Sequence, residues 1–211
     1  MTQIDLREGI VETVRALTTH NLNRGTAGNV SARWNEGFLV TPTGLAHDEM
    51  QPGDIVPMAM DGNWQGARKP SSEWRFHRDI YAARPEAGAV VHAHAPFATA
   101  LACLRADIPP FHYMIARFGG ATVRCASYAT FGTQALSDAA LAALDGRCAC
   151  LLANHGMLAF GRDLRQALDL AVEFESLCEQ YWRALQIGRP VLLSDAEMDT
   201  VLEKFRTYGQ Q

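Results

Sequence analysis

Two imidazoles two residues apart, inside the apolar and β-branched run Val90-Val91-His92-Ala93-His94, constrain this chain more than any other feature. Side chains alternate across a strand with period two, so a strand through this run presents His92 and His94 on one face. Two ring nitrogens so placed form a clamp for a divalent metal. At least one further fixed ligand is needed, and an acidic residue with another imidazole completes the open arrangement typical of catalytic zinc. Glu73 follows Ser71-Ser72 at a helix start, and His155 lies in the turn Asn154-His155-Gly156 between two apolar runs. His77, four residues after Glu73 on the same helical face, is a rival ligand.

Composition narrows the class of partner. The 211 residues are 48% hydrophobic, enough to fill the core of one domain over residues 1–211. A net charge of −4, with lysines and arginines scattered, argues against nucleic acid or an anionic membrane and for a small ligand. The first residues lack a basic segment followed by an apolar core, and no run approaches the roughly 20 apolar residues of a membrane span, so a cytoplasmic location is expected. Five cysteines, odd in number and without a C-x-x-C pair, speak against a disulfide framework; Cys148 and Cys150 read as buried thiols.

In chain order, Leu6, Ile10, Val14 and Leu17 predict an amphipathic helix over residues 5–20, with His20 favoured by the dipole at its end. The stretch Gly25-Thr26-Ala27-Gly28-Asn29-Val30-Ser31 is either an anion-binding nest or an ordinary helix-to-strand loop. Strands are predicted at 37–41, at 55–60 on an edge because of Pro57, through His92 and His94, and at 121–125. A helix from Pro70 to about Ala83 begins at Ser71 and Ser72, which serve either an anion at its positive end or a simple cap. Residues 97–104 and 132–144 read as helices, and the segment Pro109 to Met114 is irregular. It exposes Tyr113 either as a proton donor or for packing. The runs 148–153 and 157–160 form a tight hairpin that holds His155 rigidly, a long helix follows from Asp163, and Ser194 with Glu197 makes a capping box for a last helix. Strands and helices mixed without a strict β-α-β rhythm predict an α+β fold, a largely antiparallel sheet covered by helices.

The same residues carry a resemblance along essentially the whole chain. Gly25-Thr26-Ala27-Gly28-Asn29-Val30-Ser31, Thr41-Pro42-Thr43-Gly44, Pro70-Ser71-Ser72-Glu73-Trp74-Arg75-Phe76-His77, Val91-His92-Ala93-His94, Ile108-Pro109, His112-Tyr113-Met114, Tyr128-Ala129-Thr130-Phe131-Gly132-Thr133 and His155-Gly156 resemble the class II aldolase/adducin family, and most of all its members that cleave L-fuculose 1-phosphate. The resemblance implies a three-layer α/β/α arrangement around the antiparallel sheet. It implies that Glu73, His92, His94 and His155 bind one Zn²⁺ per subunit, with Co²⁺ or Mn²⁺ as substitutes, and that Glu73 can leave the metal and serve as acid/base. Thr26, Asn29, Thr43, Gly44, Ser71 and Ser72 match the phosphate-binding positions, Tyr113 a tyrosine that reaches a neighbouring subunit's site, and Tyr208 a C-terminal tyrosine that closes over the substrate. A homotetramer with sites at subunit interfaces is implied as well.

The activity so implied is reversible cleavage of a ketose 1-phosphate, such as L-fuculose 1-phosphate, into dihydroxyacetone phosphate and a short aldehyde. Lys69 and Lys204 are the only lysines, and neither sits in an apolar context that would make it a Schiff-base former. Three departures from the pattern stand out: Asn154 where those aldolases carry a histidine, Arg117 where a small residue is usual, and a tail that runs two residues past Gly209, the last two of these bearing on the aldehyde end through Tyr113 and Tyr208. They leave open 5-deoxyribulose or 5-methylthioribulose 1-phosphate as substrate, and a pentulose-phosphate 4-epimerase or a dehydratase on the same metal. An adducin-like scaffold has no need of the complete ligand set.

Overall fold

In the computed structural model, which describes residues 2–207, the helices are α1 (Gln3–Thr19), α2 (Trp74–Ala83), α3 (Pro96–Ala102), α4 (Gln134–Ala143), α5 (Leu164–Ile187) and α6 (Asp195–Thr207). The strands are β1 (Asn29–Trp34), β2 (Gly37–Val40), β3 (Val56–Ala59), β4 (Ala89–Ala93), β5 (Cys125–Ala126), β6 (Ala149–Leu152) and β7 (Gly156–Gly161). All seven join one sheet in the order β3-β2-β1-β4-β7-β6-β5. Every pairing is antiparallel except β5 with β6.

The period of two decides what each face buries. Val30, Ala32, Leu39, Val91, Ala93, Leu151, Met157 and Ala159 point into a core shared with α1, α3 and α5, while Phe38, Val40, Val90, Cys150, Leu152, Leu158 and Phe160 point into a second core under α2 and α4. The layers are therefore helix, sheet, helix, as expected. Strand β4 is buried along its whole length because helices cover both faces.

Helix ends follow local chemistry. Thr2 and Asp5 form a capping box on α1, Ser194 and Glu197 form one ahead of α6, and His20 takes the C-terminal cap of α1. The start of α2 differs from expectation. Glu73, not a serine, occupies the cap position and makes no side-chain capping bond, while Ser71 Oγ accepts from the Glu73 N–H in a turn ahead of the helix. The predicted strand at 121–125 is also displaced. Val123 makes only an isolated bridge to Ile108, and the chain joins the sheet two residues later, beside β6. All five cysteines are free, and burial pushes the Cys148 thiol up to about 11. No helix among the described residues is long and apolar enough to cross a membrane.

Helix α5 spans the first core, with Phe174 fully buried and its ring 5.1 Å from that of Phe118. Replacing Phe174 with alanine is expected to cost about 3–5 kcal/mol, measured by urea denaturation; a loss under about 1 kcal/mol would show that the site collapses around the cavity.

Candidate metal centre and active site

One end of the sheet gathers the polar residues. There β1 begins, β4 ends, and the turn between β6 and β7 comes close. The register sets Asn29 opposite His92 across β1 and β4 and His92 opposite Leu158 across β4 and β7. Leu152 pairs with Gly156, so Ala153, Asn154 and His155 make the hairpin loop, with Asn154 in the left-handed conformation at φ 53°. A β-carbon on Gly156 would stand 2.4 Å from the Ala93 carbonyl oxygen. Only glycine lets this hairpin lie so close to β4, and so brings His155 against the His92 pair.

Three imidazoles converge here. The ligand atoms of His92, His94 and His155 all lie within 4.8 Å of one another. Glu73 reaches the same point from the start of α2, with Oε2 3.3 Å from His92 Nε2 and Oε1 3.2 Å from His155 Nε2. Despite that approach, Oε1 is buried without a hydrogen bond. His92 Nδ1 lies 2.9 Å from the Met157 carbonyl oxygen and donates to it, which leaves the Nε2 lone pair facing His94 Nε2 at 3.1 Å. An orphaned carboxylate oxygen and imidazoles with inward lone pairs fit a divalent cation, because the ion replaces the missing donors.

Electrostatics favours the same state. Burial raises the Glu73 pKa, but the positive charge that His92 and His155 carry when protonated, together with the Asn29 hydrogen bond, outweighs it and holds the carboxyl well below its usual range. Burial lowers His92 to about 4, against the opposing pull of Glu73, and lowers His94 in the same direction. An ionised carboxylate beside the neutral rings of His92 and His94 is the protonation state a metal requires.

Beside this centre a cavity of about 310 Å³ is lined by Thr26, Asn29, Thr43, Gly44, Ser71, Ser72 and Glu73 on one side, and by His94, Tyr128, Phe131, Asn154 and His155 on the other. Sequence-distant loops meet there through an isolated bridge between Pro42 and Pro70. Thr43 N–H donates to Lys69 O, and Ser71 N–H to Thr41 O. Among the described residues no lysine or arginine lines the cavity, so on the side away from Glu73 and the imidazoles the groups facing it are neutral hydroxyls and backbone amides, with Gly28 at φ 77° and Gly44 at φ 71° in left-handed conformations. Such conformations turn successive N–H groups inward and suit an anion. Gly28 also comes so close to the His92 carbonyl oxygen that a β-carbon would sit 2.6 Å away.

The structure thus brings together all four expected metal ligands and all six expected phosphate contacts. Tyr113 does not join them in the same chain; it is exposed in a short 3-10 helix, Tyr113–Phe118. Arg117, on that helix, is 3.5 Å from Glu173 and does not line the cavity. Tyr208 lies outside the described residues. His77 is buried, but both its nitrogens contact Ser31 and Asn29, which removes it as a ligand. Sequence reasoning missed Asn23, whose buried Oδ1 accepts from the His94 N–H at 2.7 Å and fixes the end of β4. No spacing rule connects a loop asparagine to a strand 71 residues away.

The fold and the site together define a class of protein: the chain belongs to the class II aldolase and adducin family, whose N-terminal domain model matches residues 8–182. The 5-methylthioribulose-1-phosphate/5-deoxyribulose-1-phosphate aldolase of Rhodospirillum rubrum is 58% identical over 98% of this chain and 94% of its own length. An L-fuculose phosphate aldolase of Escherichia coli is 47% identical over 97% and 95%. The solved structure of an L-fuculose 1-phosphate aldolase superposes with a TM-score of 0.92 at 41% identity, covering 96% of each chain.

Neutral buried histidines tie stability to pH. Folded His92 binds a proton only below about 4, whereas an unfolded histidine binds one below its ordinary 6.5, and His77, lowered by burial to about 3, adds to the effect. Each disfavours the fold by about 1.4 kcal/mol per pH unit across its window. The thermal midpoint of the chelator-treated protein is expected to fall steadily as pH drops from 6.5 towards 4; a flat profile would show that the folded rings take up protons.

Proposed function

We propose that this chain is a metal-dependent aldolase that reversibly cleaves a ketose 1-phosphate into dihydroxyacetone phosphate and a short aldehyde, working as a single-domain subunit of a cytoplasmic homotetramer. The observation that carries the reading is the meeting of Glu73, His92, His94 and His155 beside a cavity lined by neutral anion-binding loops. In this reading the four residues hold zinc, or cobalt or manganese where those ions are more available. When bound, such an ion would supply Lewis-acid chemistry for the carbonyl end of the ketose.

The chain's own groups do the rest. Thr26, Asn29, Thr43, Gly44, Ser71 and Ser72 bind the phosphate through hydroxyls, the amide and backbone N–H groups, which fixes C3 close to Glu73. In the condensation direction Glu73 removes the proton at C3 of dihydroxyacetone phosphate. Tyr113, exposed and so free to reach across a subunit interface, gives a proton to the aldehyde oxygen as the C3–C4 bond forms; cleavage is the reverse. By the resemblance, Tyr208 would take the part of the C-terminal tyrosine that closes over the substrate.

Two substrates compete within this chemistry. L-fuculose 1-phosphate is one, and a 5-deoxy- or 5-methylthio-pentulose 1-phosphate is the other. The second is favoured by the higher identity, 58% against 47%, to the relative that bears its name. Tyr128 and Phe131, both exposed where they border the cavity, give that side an aromatic wall that suits an apolar sugar end.

Incubating the zinc-loaded protein with L-fuculose, 5-deoxyribulose and 5-methylthioribulose 1-phosphates should release dihydroxyacetone phosphate, and a chelator should abolish the release. Absence of release from all three would overturn the aldolase. Glu73→Gln is expected to keep the fold and lower turnover by about 100-fold or more, whereas His92→Ala and His94→Ala should deplete zinc as measured by elemental analysis. Full metal content in either histidine variant would refute the ligand set.

A further inference from the structure

Behind Glu73 runs a line of buried polar side chains that starts at Asn29 and continues into three residues, His77, Ser31 and Tyr81, that the reaction as described does not use. Asn29 Nδ2 is 2.9 Å from Glu73 Oε2, and Asn29 Oδ1 is 2.5 Å from His77 Nε2. His77 Nδ1 is 2.7 Å from Ser31 Oγ, and Ser31 Oγ is 2.7 Å from the Tyr81 hydroxyl. All five residues are buried. At the far end Arg33 lies 4.9 Å over the Tyr81 ring and donates to the Tyr81 and Arg84 carbonyls, which ties β1 to the end of α2.

The direction of each bond follows from the one before it. An ionised carboxylate only accepts, so Asn29 turns its NH₂ to Glu73 and its carbonyl oxygen to His77. That oxygen also only accepts, so the His77 proton sits on Nε2. Burial holds His77 at about 3, the ring is neutral, and Nδ1 accepts from the Ser31 hydroxyl. Ser31 then accepts from Tyr81, whose ionisation burial pushes up.

We infer that His77 is a positioning residue for the reaction: by donating from Nε2 it locks the Asn29 amide with its NH₂ towards Glu73, and Ser31 and Tyr81 lock the His77 tautomer. A flipped Asn29 would set a carbonyl oxygen against the carboxylate and release Glu73 from its aim. The kinetic consequence rests on the aldolase reading; the tautomer does not.

Two measurements test this on the zinc-loaded protein. The ¹⁵N spectrum of its histidines near neutral pH should show His77 neutral with the proton on Nε2; an Nδ1–H tautomer or an imidazolium would overturn the assignment without any variant having to fold. His77→Gln places an amide nitrogen near the Nε2 position and keeps a donor for Asn29, whereas His77→Asn places one near Nδ1 and loses it. The Gln variant should hold kcat within about 5-fold of the parent and the Asn variant should lose about 10–100-fold, with the loss larger in kcat than in KM and the variants compared at equal zinc loading. Equal losses in the two, no loss in either, or a change confined to KM would reject the role. Failure of the parent protein to turn over any ketose 1-phosphate defeats the aldolase reading and leaves the tautomer as the deciding observation.

Discussion

An ionised carboxylate buried beside three imidazoles is the constraint on which the rest of this structure depends. Taking Glu73 out of water is expensive unless donors or positive charge replace the lost hydration. The chain supplies one donor, the Asn29 amide, and leaves Oε1 without any. A bound cation is the economical completion of such a site, since it satisfies Oε1 and the facing imidazole lone pairs at once. Supporting contacts also converge there: the Met157 carbonyl holds the His92 tautomer, and Asn23 holds the His94 backbone.

Antiparallel pairing makes the convergence possible. With β4 between β1 and β7, residues from three separate stretches reach the same end of one sheet. Helix α2, packed on the face that carries His92, delivers Glu73 from its N-terminal cap and His77 from its first turn. The four-residue step between them puts both on one helical face, yet Asn29 stands between them, so one faces the metal centre and the other the polar line behind it. Two glycines complete the approach, since Gly28 and Gly156 bring backbone against backbone on either side of β4 where any side chain would collide.

Legibility in the sequence followed the range of the interaction. Elements ruled by local periodicity or capping, such as α1, α5, the β6–β7 hairpin and the Ser194 box, lie where the spacing predicts them. The start of α2 and the short β5 do not. Ser71 is drawn into a bridge-supported turn with Thr41, and residues 121–123 are held by Ile108 instead of by the sheet. At the site, His92 and His94 declare themselves through a period of two, and the hydroxyl-rich loops through composition. His77 does not, since a helical face shared with Glu73 is equally consistent with a ligand and with a residue engaged elsewhere.

The sequence by itself determined which residues share a strand or helix face, and hence that His92 and His94 form a pair, because these follow from periods of about two and 3.6 residues. Its resemblance to one family extended that to an expected set of metal ligands and phosphate contacts. Only the tertiary structure decided which donors go to which acceptors: that His77 spends both nitrogens on Ser31 and Asn29, that Asn23 anchors His94 across 71 positions, and that Arg117 goes to Glu173. Such pairings depend on distances in space between residues far apart in the chain, and no local period encodes them.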